Sequence, residues 1–96
     1  MNLQESRRKI DAIDEQIVTL LNRRAAQVKQ IGRIKASAGL PTVDQEREAE
    51  IYRKITAENF GHIDNDGLMR IFEQIVAESR RIQANETIGE IGEPVK

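Results

Sequence analysis

A chain of 96 residues with 15 Lys plus Arg against 16 Asp plus Glu has a net charge of −1. That size suits one small domain, and the balance excludes the global basic field that draws proteins to nucleic acid or anionic membranes. The absence of cysteine removes disulfide frameworks, thiolate nucleophiles and Cys-ligated zinc, and a single His without a carboxylate cluster at ligand spacing gives no support to a metal site.

The start, MNLQESRRKIDAIDEQ, is polar and lacks the pattern of a signal peptide or membrane span, so a soluble cytoplasmic protein is expected. From Leu3 to about Ala38, the apolar residues Leu3, Ile10, Ile13, Ile17, Leu20, Leu21, Val28, Ile31 and Ile34 recur at intervals of three and four or their sum, which predicts one long amphipathic helix. Gly39 is placed to end it and Pro41 to prevent its continuation. A second helix is expected from Asp44, as cap, to Gly61, with Ile51, Tyr52 and Ile55 on its apolar face. Asp64 or Asp66 would cap a third, whose stripe of Leu68, Ile71, Phe72, Ile75, Val76 and Ile82 runs to about Glu86. Residues 1–86 are thus read as the domain and 87–96, TIGEIGEPVK, as a flexible tail or linker remnant.

The fold class is therefore all-α, with three helices of which one is very long. A first helix of this length spans roughly 50 Å, whereas a compact domain of this size is only about 30 Å across. Half of its stripe would be left bare. The closed solution is a two-fold dimer in which the long helices interlock and each chain completes the other's core as a helical bundle.

Several polar side chains interrupt the stripes. With about 100° of rotation per residue and Ile10 at the centre, Arg24 and Lys35 fall inside the apolar sector of the first helix and Arg7 near its border. Arg8, Arg23, Lys29 and Arg33 lie at about 100° or more and read as a solvated face. Asp44, Arg47 and Glu48 fall within about 60° of Ile51, and Ser79 and Gln83 within about 80° of Ile75. Each taken alone has an ordinary explanation: a snorkelling cation, a helix cap, a satisfied core polar group. Taken together, inward cations outnumber inward acids, a set that suits a small dianion. Nucleophilic chemistry is disfavoured, because Ser79 has no His in any motif and His62 falls in a loop.

The blocks RRKIDAIDEQIVTLLNRR, IGRIKASAGLPTVDQERE and IFEQIVAESRRIQ, at their observed separations, resemble the all-helical chorismate mutases from Arg7 to Gln83. The resemblance implies a small intertwined dimer that converts chorismate to prephenate, a step toward phenylalanine and tyrosine, by a Claisen rearrangement with no cofactor and no metal. The family's binding residues carry over onto Arg7, Arg24, Lys35, Asp44, Arg47, Glu48, Ser79 and Gln83. By the same resemblance Arg24 and Ser79 would grip the ring carboxylate, and Lys35 with Arg7 of the other subunit the side-chain carboxylate. Lys35 and Gln83 would face the ether oxygen and Glu48 the ring hydroxyl, making Lys35, Gln83, Arg24 and Glu48 the expected catalytic group. A larger enzyme of the aromatic pathway is a candidate partner. Two alternatives stand beside this: an isochorismate pyruvate lyase of the same fold, and a noncatalytic helical dimerisation or regulatory module.

Overall fold

Three helices, α1 (Leu3–Ala38), α2 (Gln45–Ala57) and α3 (Asn65–Ile91), make up a computed structural model that describes residues 2–91, with side chains described as far as Glu86. Among the described residues there is no strand, as the helical periodicities predict. α1 has the bounds read from its stripe. Asn2 caps it by accepting the Glu5 amide at 2.9 Å. At its other end Gly39 adopts φ 70°, with its own amide on the Ala36 carbonyl at 3.3 Å and the Leu40 amide on Lys35 at 2.8 Å. That double closure needs a left-handed residue, which glycine supplies without strain.

The other two boundaries shift. α2, capped by Asp44 through the Arg47 amide at 3.0 Å, stops at Ala57, four residues short of Gly61. The Asn59 amide donates to the Ile63 carbonyl and to Asn65 Oδ1, both at 2.8 Å, while its oxygen accepts from the Gly61 amide at 3.3 Å. This local network competes with further helical bonding. Asp64 rather than Asp66 caps α3: its carboxylate accepts the Gly67 amide at 2.7 Å and its main-chain carbonyl the Leu68 amide at 3.0 Å. α3 continues past Glu86 to Ile91, because no proline interrupts the ladder before Pro94. The remainder of the expected tail, 92–96, lies outside the described residues.

α3 is the central element. It packs against both α1 and α2, whose own main chains stay apart among the described residues. Arg24 meets Ser79 and Lys35 meets Gln83, so α1 and α3 run in the same sense. At Gly32 they approach closely: a Cβ there would stand 3.0 Å from Gln83 Cα. The apolar residues buried among those described are Val28 and Val76, and Ser79 and Gln83 are buried beside them.

One chain leaves much of α1 bare. From Asn2 to Arg23 every residue except half-buried Ser6 is exposed, including Leu3, Ile10, Ile13, Ile17 and Leu20. The chain measures 57 × 33 × 15 Å with a radius of gyration of 17.1 Å, against about 12 Å for a compact domain of this length. Among the described residues no helix is long and apolar enough to cross a membrane.

Candidate active site

The stripe breakers converge. Arg24 and Lys35 from α1, Asp44, Arg47 and Glu48 from the start of α2, and Ser79 and Gln83 from α3 line one cleft of about 520 Å³, part of it open to solvent. Val28, Ile31, Ile51 and Val76 form its apolar surface. Of the eight residues singled out in the sequence only Arg7 is elsewhere: it is exposed and precedes Arg24 by seventeen residues, roughly 25 Å along the helix. The cations assigned to a solvated face, Arg8, Arg23, Lys29 and Arg33, are exposed. Two of them pair with Glu86, Arg33 at 3.2 Å and Lys29 at 3.7 Å.

The wall formed by α1 and α3 is stitched by hydrogen bonds. The Arg24 guanidinium donates to Ser79 Oγ at 2.5 Å, and that hydroxyl donates in turn to the Ile75 carbonyl at 2.9 Å. Lys35 Nζ donates to Gln83 Oε1 at 2.7 Å and to the Thr42 carbonyl at 2.9 Å. Gln83 Nε2 donates to the Ser79 carbonyl at 3.2 Å. Each bond lowers the number of conformations open to a side chain that faces the cleft, so its polar atoms are held before any ligand arrives.

The cleft is electropositive. Its rim and floor carry four cations, Arg24, Lys35, Arg47 and Arg80, against two carboxylates, Asp44 and Glu48, a surplus of two positive charges in a chain whose net charge is −1. Burial, and then repulsion from Arg47, pull the Arg24 guanidinium below its usual value, although an arginine stays charged at any physiological pH. An anion placed between these two cations would relieve that repulsion.

Arg80 is the residue that reading the sequence missed. It donates to both oxygens of Glu48, through Nε at 2.8 Å and through a still closer bond from its terminal nitrogen. Its position on α3 is about 140° from Ile75, well outside the apolar stripe. The rotation rule fails here because α3 packs on two helices rather than one, which widens its contacting arc, and because a long side chain reaches round to α2. The Thr42 carbonyl was equally invisible, being main chain. Glu48 is held below the ordinary carboxylate range, first by its bond to Arg80, with Arg80 and Lys35 adding charge attraction against burial and Asp44. A carboxyl depressed only in the folded chain stabilises the fold fully above its unfolded value, and the contribution is lost as acid takes the pH down through the folded one.

The family model described as chorismate mutase type II matches residues 6–84. The chain belongs to the type II chorismate mutases. It is 43% identical over 79 residues to the bifunctional chorismate mutase/prephenate dehydratase of Aquifex aeolicus (strain VF5), a match covering 78% of this chain and 22% of that protein. The chain thus spans about a fifth of the length of that relative. Among solved structures it is similar to the Form II chorismate mutase of Thermus thermophilus, with a TM-score of 0.84 and 32% identity, covering 85% of this chain and 93% of that one. It is also similar to the Helicobacter pylori chorismate mutase in complex with prephenate, with a TM-score of 0.80 and 28% identity over 88% of this chain and 91% of that one. As a member of this family the chain has the all-helical family fold, and its cleft carries two more cations than carboxylates.

Proposed function

We propose that this chorismate mutase converts chorismate to prephenate in the cleft between α1, α2 and α3. The supporting observation is the surplus of two positive charges in the cleft of a chain with net charge −1, which matches a substrate with two carboxylates. In the Claisen rearrangement the ether C–O bond breaks as a new C–C bond forms, with no proton transferred and no covalent intermediate. The protein's task is then to hold the reactive conformer and to favour charge where it develops.

In this reading Arg24 and Ser79 take the ring carboxylate, and Lys35 the side-chain carboxylate together with Arg7 from a second copy of the chain. As the ether bond lengthens, negative charge grows on its oxygen, where Lys35 and Gln83 are the donors. A donor aimed at such an oxygen contributes on the order of 3 kcal/mol to transition-state binding. Glu48 accepts the ring hydroxyl's hydrogen bond, and Asp44 and Arg47 shape that end of the cleft. The homodimer enters as the means of covering the bare stripe of α1 and supplying Arg7.

The deciding experiment follows chorismate by absorbance and identifies the product as prephenate, with Arg24→Ala and Arg23→Ala compared against the parent. Arg24→Ala should lower kcat/KM on the order of a hundredfold or more, while exposed Arg23→Ala leaves it near the parent's. Equal behaviour of the two variants, or no turnover by the folded parent, would refute the assignment. Pyruvate released from isochorismate would point to the lyase instead.

A further inference from the structure

Arg80 borders the cleft between Ser79 and Gln83 in sequence, and its guanidinium fork occupies both oxygens of Glu48. The pair spans two elements, α3 and the first turn of α2. Glu48's side chain is only 15% exposed, whereas that of Arg80 is 47% exposed, so the carboxylate is inside the cleft and the guanidinium closes its outer edge. We propose that Arg80 is a positioning residue for the rearrangement: its two-pronged grip fixes the Glu48 carboxylate in one plane, ready to accept the substrate's ring hydroxyl. This rests on the chorismate mutase reading above and adds to it a residue that works through Glu48 rather than on the substrate.

The geometry explains why a fork is needed. A carboxylate has about four lone-pair positions, and a bidentate guanidinium takes one on each oxygen, leaving one on each for a hydroxyl donor. Without the fork, the glutamate side chain rotates among its rotamers and presents those lone pairs only part of the time. A lysine at position 80 would supply the charge without the planar constraint. The groups facing Glu48 are Arg80 from α3, Lys35 from α1, and Asp44 and Tyr52 from its own helix. Arg80 and Lys35 favour the ionised form; Asp44 and burial oppose it. Removing Arg80 leaves Lys35 alone against both, so Glu48 should take up a proton at higher pH, and a protonated carboxyl is a poorer acceptor.

The test compares the parent with Arg80→Met, which keeps much of the stem length and removes the fork, and with Arg80→Lys. Two readouts are needed: the pH dependence of kcat/KM on chorismate, and the titration of the Glu48 carboxyl followed by carbon NMR, which needs no activity. Arg80→Met should raise KM and lower kcat/KM roughly tenfold near neutrality. It should also move the acid limb of the profile and the Glu48 titration upward together. Arg80→Lys should restore the titration but recover kcat/KM only in part. In a Glu48→Gln background, Arg80→Met should cost little more, since the group it acts through is gone. A pH profile and titration unchanged by Arg80→Met, or a full additional loss in the Glu48→Gln background, would overturn the positioning role while leaving the mutase assignment intact. A folded parent that does not turn over chorismate would overturn that assignment and the role built on it, whatever the Glu48 titration shows.

Discussion

Gln83 accepts from Lys35 at 2.7 Å and donates to the Ser79 carbonyl at 3.2 Å, and the first bond determines how its amide faces. An ammonium has donors only, so the oxygen of Gln83 must be the atom turned toward Lys35 and the nitrogen must point the other way. The role proposed for Gln83, donation to the ether oxygen, depends on that nitrogen. Gln83→Glu keeps the size and removes the donor except when the introduced carboxyl is protonated. Lys35 beside it favours the ionised form and burial opposes it. Turnover near neutrality should therefore fall and recover as the pH is lowered, a trend read directly from kcat/KM against pH beside the parent. A profile that parallels the parent's would remove Gln83 from the ether contact. At this scale the sequence was informative wherever a polar residue fell inside a stripe, as Arg24, Lys35, Ser79 and Gln83 did. Arg80 showed no such sign, because its side chain reaches the cleft from a position that a single-partner helix would leave in solvent.

Among the elements, the approach of α1 to α3 at Gly32 sets the wall of the cleft. A Cβ at this position would meet Gln83 Cα at 3.0 Å and Glu86 Cβ at 3.2 Å, and the first of these is backbone that cannot rotate away. Gly32→Ala gains about 1 kcal/mol of helix propensity but forces the helices apart, and such overpacking costs about 1–3 kcal/mol. The net effect should be a modest fall in Tm by calorimetry. The loss of kcat/KM should be larger than that fall suggests, because the displaced segment carries Gln83 and hence its bond to Lys35. A variant with raised Tm and full activity would show that the interface relaxes freely. The helices themselves were legible from periodicity. Their ends were less so: the α2 boundary turned on the Asn59 side-chain network, and the choice of Asp64 over Asp66 on which carboxylate reached the free Gly67 amide.

For the whole molecule, the bare stripe of α1 and the distance of Arg7 from the cleft point the same way. Leu3, Ile10, Ile13, Ile17 and Leu20 are all exposed in one chain, and each contributes up to roughly 1.5–3 kcal/mol when fully buried. A second copy covering them would supply the buried apolar surface that one chain lacks. Sedimentation should give the mass of two chains, and Ile13→Asp should shift it toward one with loss of activity. If Arg7 acts across that interface, Arg7→Ala and Arg24→Ala, each inactive alone, should complement when co-expressed. Statistical pairing in a two-fold dimer leaves about a quarter of the sites intact. No recovery in mixed dimers would place Arg7 in its own chain's site or outside the site altogether.

The sequence alone determined the helices, the surplus of inward cations and seven residues that share a cleft, because 3.6-residue periodicity makes a polar residue on an apolar face conspicuous without any knowledge of its neighbours. What the tertiary structure decided was which faces met: that α3 packs on both α1 and α2, that Arg80 therefore reaches Glu48, and that α3 passes close over Gly32. Those features depend on the angle and register at which helices cross, which side chains at contacts far apart in sequence set jointly and no single stripe encodes.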